Sequence, residues 1–118
     1  MYSVKVERHF SSAHNLKGYK GKCEDLHGHN WKVVAVVAAN KLDKSGMVMD
    51  FKDLKMNLDG ILEGLDHTHL NNIPYFRKVN PTSENIAKYI YDKMRAQGVR
   101  IASVTVWESH NSSATYCR

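Results

Sequence analysis

Between His29 and Ala39 the chain reads His-Asn-Trp-Lys-Val-Val-Ala-Val-Val-Ala-Ala, a valine-rich stretch suited to a pleated, buried surface and therefore to a strand. The turn-forming segment from Asn40 to Gly46 closes it. A long strand needs a partner, and one stands upstream: Tyr2, Val4 and Val6 alternate with Ser3, Lys5 and Glu7 in a first strand over Tyr2 to Phe10. The intervening Asn15 to Leu26, with Gly18, Gly21 and many polar residues, reads as a loop. The apolar core of the second strand, Val33 to Ala39, is far shorter than the roughly 20 residues of a membrane span. Because the N-terminus also lacks a basic segment followed by an apolar one, a soluble cytoplasmic protein is expected.

Downstream the period changes. Asp50 can cap a helix whose apolar residues Phe51, Leu54, Leu58, Ile61, Leu62 and Leu65 recur at steps of three and four. A second helix begins near Thr82, behind Pro81, with Glu84 in its first turn, Ile86, Ala87, Ile90 and Met94 on one face, and Gly98 as its stop. Val104, Val106 and Glu108 then alternate with Thr105 and Trp107 in a third strand, and Ala114 to Cys117 makes a fourth. The order ββααββ predicts an α+β fold: a four-stranded antiparallel sheet with both helices on one face. Its two free edges and small core would be covered by self-association.

With 118 residues the chain is expected to be one domain, spanning 1–118. The net charge of +5 implies attraction to anions, but Lys and Arg are scattered, which weakens a nucleic-acid reading. One small cluster, Lys17, Lys20 and Lys22, precedes Cys23. Two cysteines, Cys23 and Cys117, are too few for a disulfide framework and form no C-x-x-C pair.

Candidate chemistry begins at His27-Gly28-His29. Residues two apart on a strand point the same way, so both imidazoles can converge on one point. His14 closes the first strand and can reach that point if the two strands form a hairpin. Three nitrogen ligands leave one tetrahedral position open, as in catalytic zinc sites. For His9 and His110 the plainer reading holds: surface or hydrogen-bonded rings. H-x-H also opens the cupin metal motif, but the glutamate expected there is replaced by Asn30-Trp31-Lys32-Val33-Val34. Cys23, four residues before His27, can be a base or nucleophile, a small buried hydrophobe, or a fourth metal ligand. Asp66-His67 can relay protons or simply cap a helix end. Glu108, in phase with Val104 and Val106, points inward and needs a partner, either a ligand or a structural basic group.

Together these residues resemble the 6-pyruvoyl tetrahydropterin synthase family, which includes bacterial 6-carboxytetrahydropterin synthase of the queuosine pathway. The likeness runs nearly end to end and is carried by Phe10-Ser11-Ser12-Ala13-His14, Cys23-Glu24-Asp25-Leu26-His27-Gly28-His29-Asn30, Gly46-Met47-Val48-Met49-Asp50-Phe51, Leu65-Asp66-His67, Asn80-Pro81-Thr82-Ser83-Glu84-Asn85 and Glu108.

The resemblance implies a tunnelling fold (T-fold), whose subunits close into a barrel, as a homohexamer of two trimers with sites between subunits. It implies a lyase with Zn2+ on His14, His27 and His29, Cys23 as base, a relay through Asp66 and His67, and a pterin anchored by Glu108 and seated by Thr82 and Ser83. The expected substrate is dihydroneopterin triphosphate, with no nucleic-acid or membrane partner, and the expected products are 6-carboxytetrahydropterin, acetaldehyde and triphosphate. Lys17, Lys20 and Lys22 are candidates for the triphosphate, with a solvated loop the equal alternative. The pyruvoyl reaction, which keeps the side chain, is the nearest alternative. A branch that cleaves dihydroneopterin carries glutamate where this chain has Cys23. From another class, a zinc-stabilised module binding RNA or another anion also fits the charge.

Overall fold

The two N-terminal strands are longer than their hydrophobic alternation. In the computed structural model, which describes residues 1–18 and 25–118, β1 spans Tyr2–His14 and β2 spans His27–Ala39. They pair antiparallel without interruption from Tyr2 opposite Ala39 to His14 opposite His27. The extension is polar but keeps phase: Ser12 and His14 are buried on the same side as Val6 and Phe10. An apolar count stops at Phe10, whereas the strand goes on to deliver a histidine.

After β2 come α1 (Phe51–Glu63), a 3-10 turn (Leu70–Asn72), α2 (Pro74–Lys78), α3 (Ser83–Ala96), β3 (Ile101–Ser109) and β4 (Ser112–Cys117). The sheet runs β1-β2-β3-β4, every pair antiparallel. Both expected caps are present: the Asp50 side chain accepts from Lys52 N–H and Thr82 from Asn85 N–H. The short α2 was not expected. Its five residues cannot show a helical period; Pro74 opens it and Phe76 anchors it in the core.

The apolar stripes of α1 (Leu54, Leu58, Ile61, Leu62) and α3 (Ile86, Ala87, Ile90, Met94) are buried against one sheet face, which supplies Phe10, Trp31, Val33, Val104 and Val106. α1 packs on β1, and α3 on β3 and β4. Among the described residues no helix is long and apolar enough to cross a membrane.

Two departures from regularity shape the region below His14. The outer edge of β1 is met by the segment after α1: Ser11 N–H donates to Asp66 Oδ1 (2.8 Å), His67 N–H to Ser11 O (2.6 Å) and Ala13 N–H to Thr68 O (3.1 Å). This covers part of an otherwise open edge. In β3 the register to β4 shifts between Trp107 and Ser109, which pair with Ser113 and Ser112, so Glu108 is the extra residue of a bulge. Bulges re-aim side chains and recur next to functional sites.

Candidate metal centre

Strand register brings the three predicted histidines together. His27 sits opposite His14, and His29 follows two residues along β2 on the same face. The rings meet edge to face, with centroids 4.6 Å (His14–His27), 4.7 Å (His27–His29) and 5.2 Å (His14–His29) apart. Trp31 forms the floor, 4.8 Å from the His14 ring and 5.2 Å from that of His29. Its indole N–H donates to Ser12 O at 3.2 Å.

Backbone carbonyls orient two of the imidazoles. His14 Nδ1 lies 2.8 Å from Pro81 O, and His27 Nδ1 lies 2.9 Å from Asp25 O. A carbonyl oxygen only accepts, so each Nδ1 carries the hydrogen and Nε2 is the ring nitrogen left to present a lone pair to a metal. Those two Nε2 atoms are 3.0 Å apart. Facing lone pairs repel unless a proton or cation stands between them. The third imidazole points the same way: His29 Nε2 is buried and makes no hydrogen bond, although Glu108 Oε1 lies 3.0 Å from it. Ligand atoms of His14, His27, His29 and Glu108 all fall within 4.8 Å of one another. The donor set fits a metal ion, since imidazoles held by carbonyls through the other ring nitrogen are the usual form of a histidine ligand.

Electrostatics agree. Burial, above all, pushes the His14 imidazole below its ordinary 6.5, with His27 and His29 adding to the effect and the Pro81 carbonyl and Glu108 opposing it. The ring is therefore in the ligating, neutral form at neutral pH. In metal-free protein the unfolded chain takes up a proton near 6.5 that the folded chain does not, so stability is lost as pH falls below 6.5 and the effect is absent above it. Urea midpoints measured on chelated protein between roughly pH 7.5 and 5.5 should fall, with a smaller slope in His14→Asn.

The remaining predicted residues divide. Glu108 joins the cluster: Oε1 lies 4.0 Å from His14 Nε2, and Ser83 Oγ donates to Oε2 at 3.5 Å. Thr82 spends its hydroxyl on the cap of α3, accepting from Asn85 N–H at 3.1 Å. Asp66 and His67 pair with each other, Oδ2 to Nδ1 at 3.0 Å, on the outer side of β1. The Ser11 N–H, more than the neighbouring His67, holds the Asp66 carboxyl below the usual carboxylate range. His67 adopts a left-handed φ of 53° with its ring exposed, a conformation that non-glycine residues keep only when fixed by their surroundings. Cys23, Lys20 and Lys22 lie outside the described residues. Lys17 is described, and its backbone is engaged.

Residues 3–118 match the 6-pyruvoyl tetrahydropterin synthase family. The chain belongs to that family. It is 39% identical to a 6-carboxy-5,6,7,8-tetrahydropterin synthase of Synechocystis sp., covering 98% of this chain and 93% of that one. It is also 41% identical to the 6-pyruvoyl tetrahydrobiopterin synthase of Homo sapiens, over 90% and 77% of the two chains. Its fold is similar to that of the Caenorhabditis elegans 6-pyruvoyl tetrahydropterin synthase, with a TM-score of 0.83, 29% identity, and 100% and 97% coverage. The expected T-fold subunit is therefore the one observed.

Supporting residues that sequence reasoning did not single out also emerge in this family member. Two asparagines clamp the chain as it leaves His14. Asn71 accepts from Asn15 N–H (3.0 Å) and donates to Asn15 O (2.7 Å), while Asn80 accepts from Lys17 N–H (2.8 Å) and donates to Lys17 O (3.0 Å). Asn85 in turn donates to Asn80 O at 2.9 Å. The Asn80-to-Asn85 motif thus ties the start of α3 to the end of β1, and the Pro81 carbonyl on His14 belongs to the same linkage. The only sequence signal was the motif itself.

Proposed function

We propose that the chain is a zinc-dependent 6-carboxy-5,6,7,8-tetrahydropterin synthase, converting 7,8-dihydroneopterin triphosphate to 6-carboxytetrahydropterin with release of acetaldehyde and triphosphate. The observation that carries the reading is the cluster of three imidazoles, two with Nε2 directed inward by carbonyls, beside the carboxylate of Glu108. The 39% identity to a relative of that name, over nearly the whole of both chains, supports the choice of product.

In this reading His14, His27 and His29 hold Zn2+, which supplies Lewis acidity toward the side-chain oxygens of the substrate and so acidifies the adjacent C–H. Glu108 accepts the pterin amide N–H and amino N–H in a two-point contact. Ser83, which donates to Oε2 of Glu108, orients that carboxylate, and Thr82 fixes the helix start on which Ser83 stands. Cys23, as thiolate, takes the proton. His67, held by Asp66, passes protons on. Trp31 keeps water from the floor of the site. The protein would act as a single domain over 1–118, in the cytoplasm, serving queuosine biosynthesis. It would assemble as a homohexamer with sites between subunits; the edge of β4 and the uncovered part of the β1 edge are compatible with that assembly.

Incubating the zinc-loaded protein with dihydroneopterin triphosphate and analysing the products tests the proposal. Acetaldehyde together with a carboxypterin is the expected result. A pyruvoyl product would replace it with the second reading, which the 41% identity to the Homo sapiens enzyme favours. No turnover of any pterin would leave the zinc-stabilised anion-binding module.

A further inference from the structure

Glu108 stands closer to the imidazoles than a pure substrate anchor needs to. Its Oε1 is 3.0 Å from His29 Nε2 and 4.0 Å from His14 Nε2, while the two facing imidazole nitrogens are 3.0 Å apart. Four ligands around a zinc ion at ~2.0–2.1 Å in a tetrahedron are separated by about 3.3 Å. These three spacings bracket that value and all four ligand atoms lie within 4.8 Å of one another, so the carboxylate oxygen is near enough to serve as a fourth ligand beside the three nitrogens. The other oxygen, Oε2, is directed to Ser83 Oγ. A two-point contact with the amide and amine of a pterin requires both oxygens in one plane, facing the ring. With Oε1 on a metal, that face is not available, whereas the Ser83 hydrogen bond to Oε2 is compatible with either role. The two roles exclude each other.

The geometry points to a carboxylate exchange: in the substrate-free protein Glu108 fills the fourth metal position, and an arriving pterin ring opens that position by drawing the carboxylate onto itself. The inference rests on the metal and pterin reading above. In the exchange the bond from the metal to Oε1 breaks and one to water or to a substrate oxygen forms, with no change of oxidation state. Loss of the carboxylate raises the net charge of the site from +1 to +2, counting a divalent ion and neutral imidazoles. Lewis acidity thus rises only when a ring is in place, and the ring binds before the side chain meets the metal. The bulge at Glu108 is what such a device needs, because the extra residue gives its side chain a pivot that a regular ladder position lacks.

The full chain loaded with Co2+ in place of zinc provides the test, since the visible absorption of the ion reports its ligands independently of turnover. Glu108→Gln should bind Co2+ about tenfold or more weakly than the parent, at least the loss caused by removing a group that merely supports a ligand, and should show an altered spectrum. Unsubstituted pterin has the amide and amine edge but no side-chain oxygens. At saturation, followed by quenching of its own fluorescence, it should shift the parent spectrum toward that of E108Q and lower Co2+ affinity by a similar factor, as linkage demands. The E108Q spectrum should not respond to it. Equal affinity and identical spectra for parent and E108Q would overturn the exchange while leaving the metal site standing, as would pterin binding without a spectral change. If parent and His27→Ala alike fail to retain Co2+, the metal reading itself falls and takes the exchange with it.

Discussion

Replacing His27 with alanine should abolish stoichiometric metal binding while leaving the fold intact. The side chain lies at the first residue of β2 and is only half-buried, so its removal opens no core cavity. Its Nε2, however, is one of the two lone-pair donors held 3.0 Å apart by carbonyl contacts on the opposite ring nitrogens. Structural zinc is worth ~10–16 kcal/mol over four ligands, so losing one ligand should cost about 3 kcal/mol, or roughly a hundredfold in affinity. Turnover of dihydroneopterin triphosphate should fall at least as far, because the Lewis acid is lost with the ion. Metal analysis after dialysis, together with far-UV circular dichroism, checks both halves. Full metal content in a folded His27→Ala protein would remove His27 from the ligand set.

The largest effect on stability should come from Trp31→Ala. Trp31 is fully buried, stacked on Phe10 at 5.9 Å and in edge contact with the imidazoles of His14 and His29. Truncation removes that packing and leaves a cavity, for which large aromatic to alanine changes typically cost about 3–5 kcal/mol. It also deprives Ser12 O of the indole N–H. Trp31→Phe keeps most of the packing and loses only that hydrogen bond, so it should cost about 1 kcal/mol. Urea unfolding of the chelated proteins would measure both. A loss below about 1 kcal/mol for Trp31→Ala would show that the floor of the site collapses without penalty, contrary to the packing described.

What could be read from the residues, and what could not, follows from where each kind of signal resides. The valine-rich run of β2, the caps at Asp50 and Thr82, and the inward phase of Glu108 are side-chain patterns, and each has its counterpart in the structure. The convergence of His14, His27 and His29 was legible for the same reason, since a period of two fixes a face. At the end of β1 the apolar alternation gave no signal, because Ser12 and His14 are polar residues at inward positions; His14 was expected to close the strand, and it does. The partners that orient the rings were not legible. Pro81 and Asp25 act through their carbonyls, and a carbonyl is common to all residues. The bulge at Glu108 depends on pairing with β4, which no local pattern encodes. Asp66 and His67 were open to two readings, and their anchorage on Ser11 is a tertiary contact 55 residues away for Asp66.

The uninterrupted pairing of β1 with β2 has one more consequence. A slip of a single residue between two strands exchanges their faces. If β2 slipped so, His27 and His29 would turn away from His14 together with Trp31 and Val33, and the pair would be left without its third imidazole. Ligation of a metal by all three imidazoles would therefore report strand alignment, because a one-residue slip of the first hairpin takes His14 out of the set.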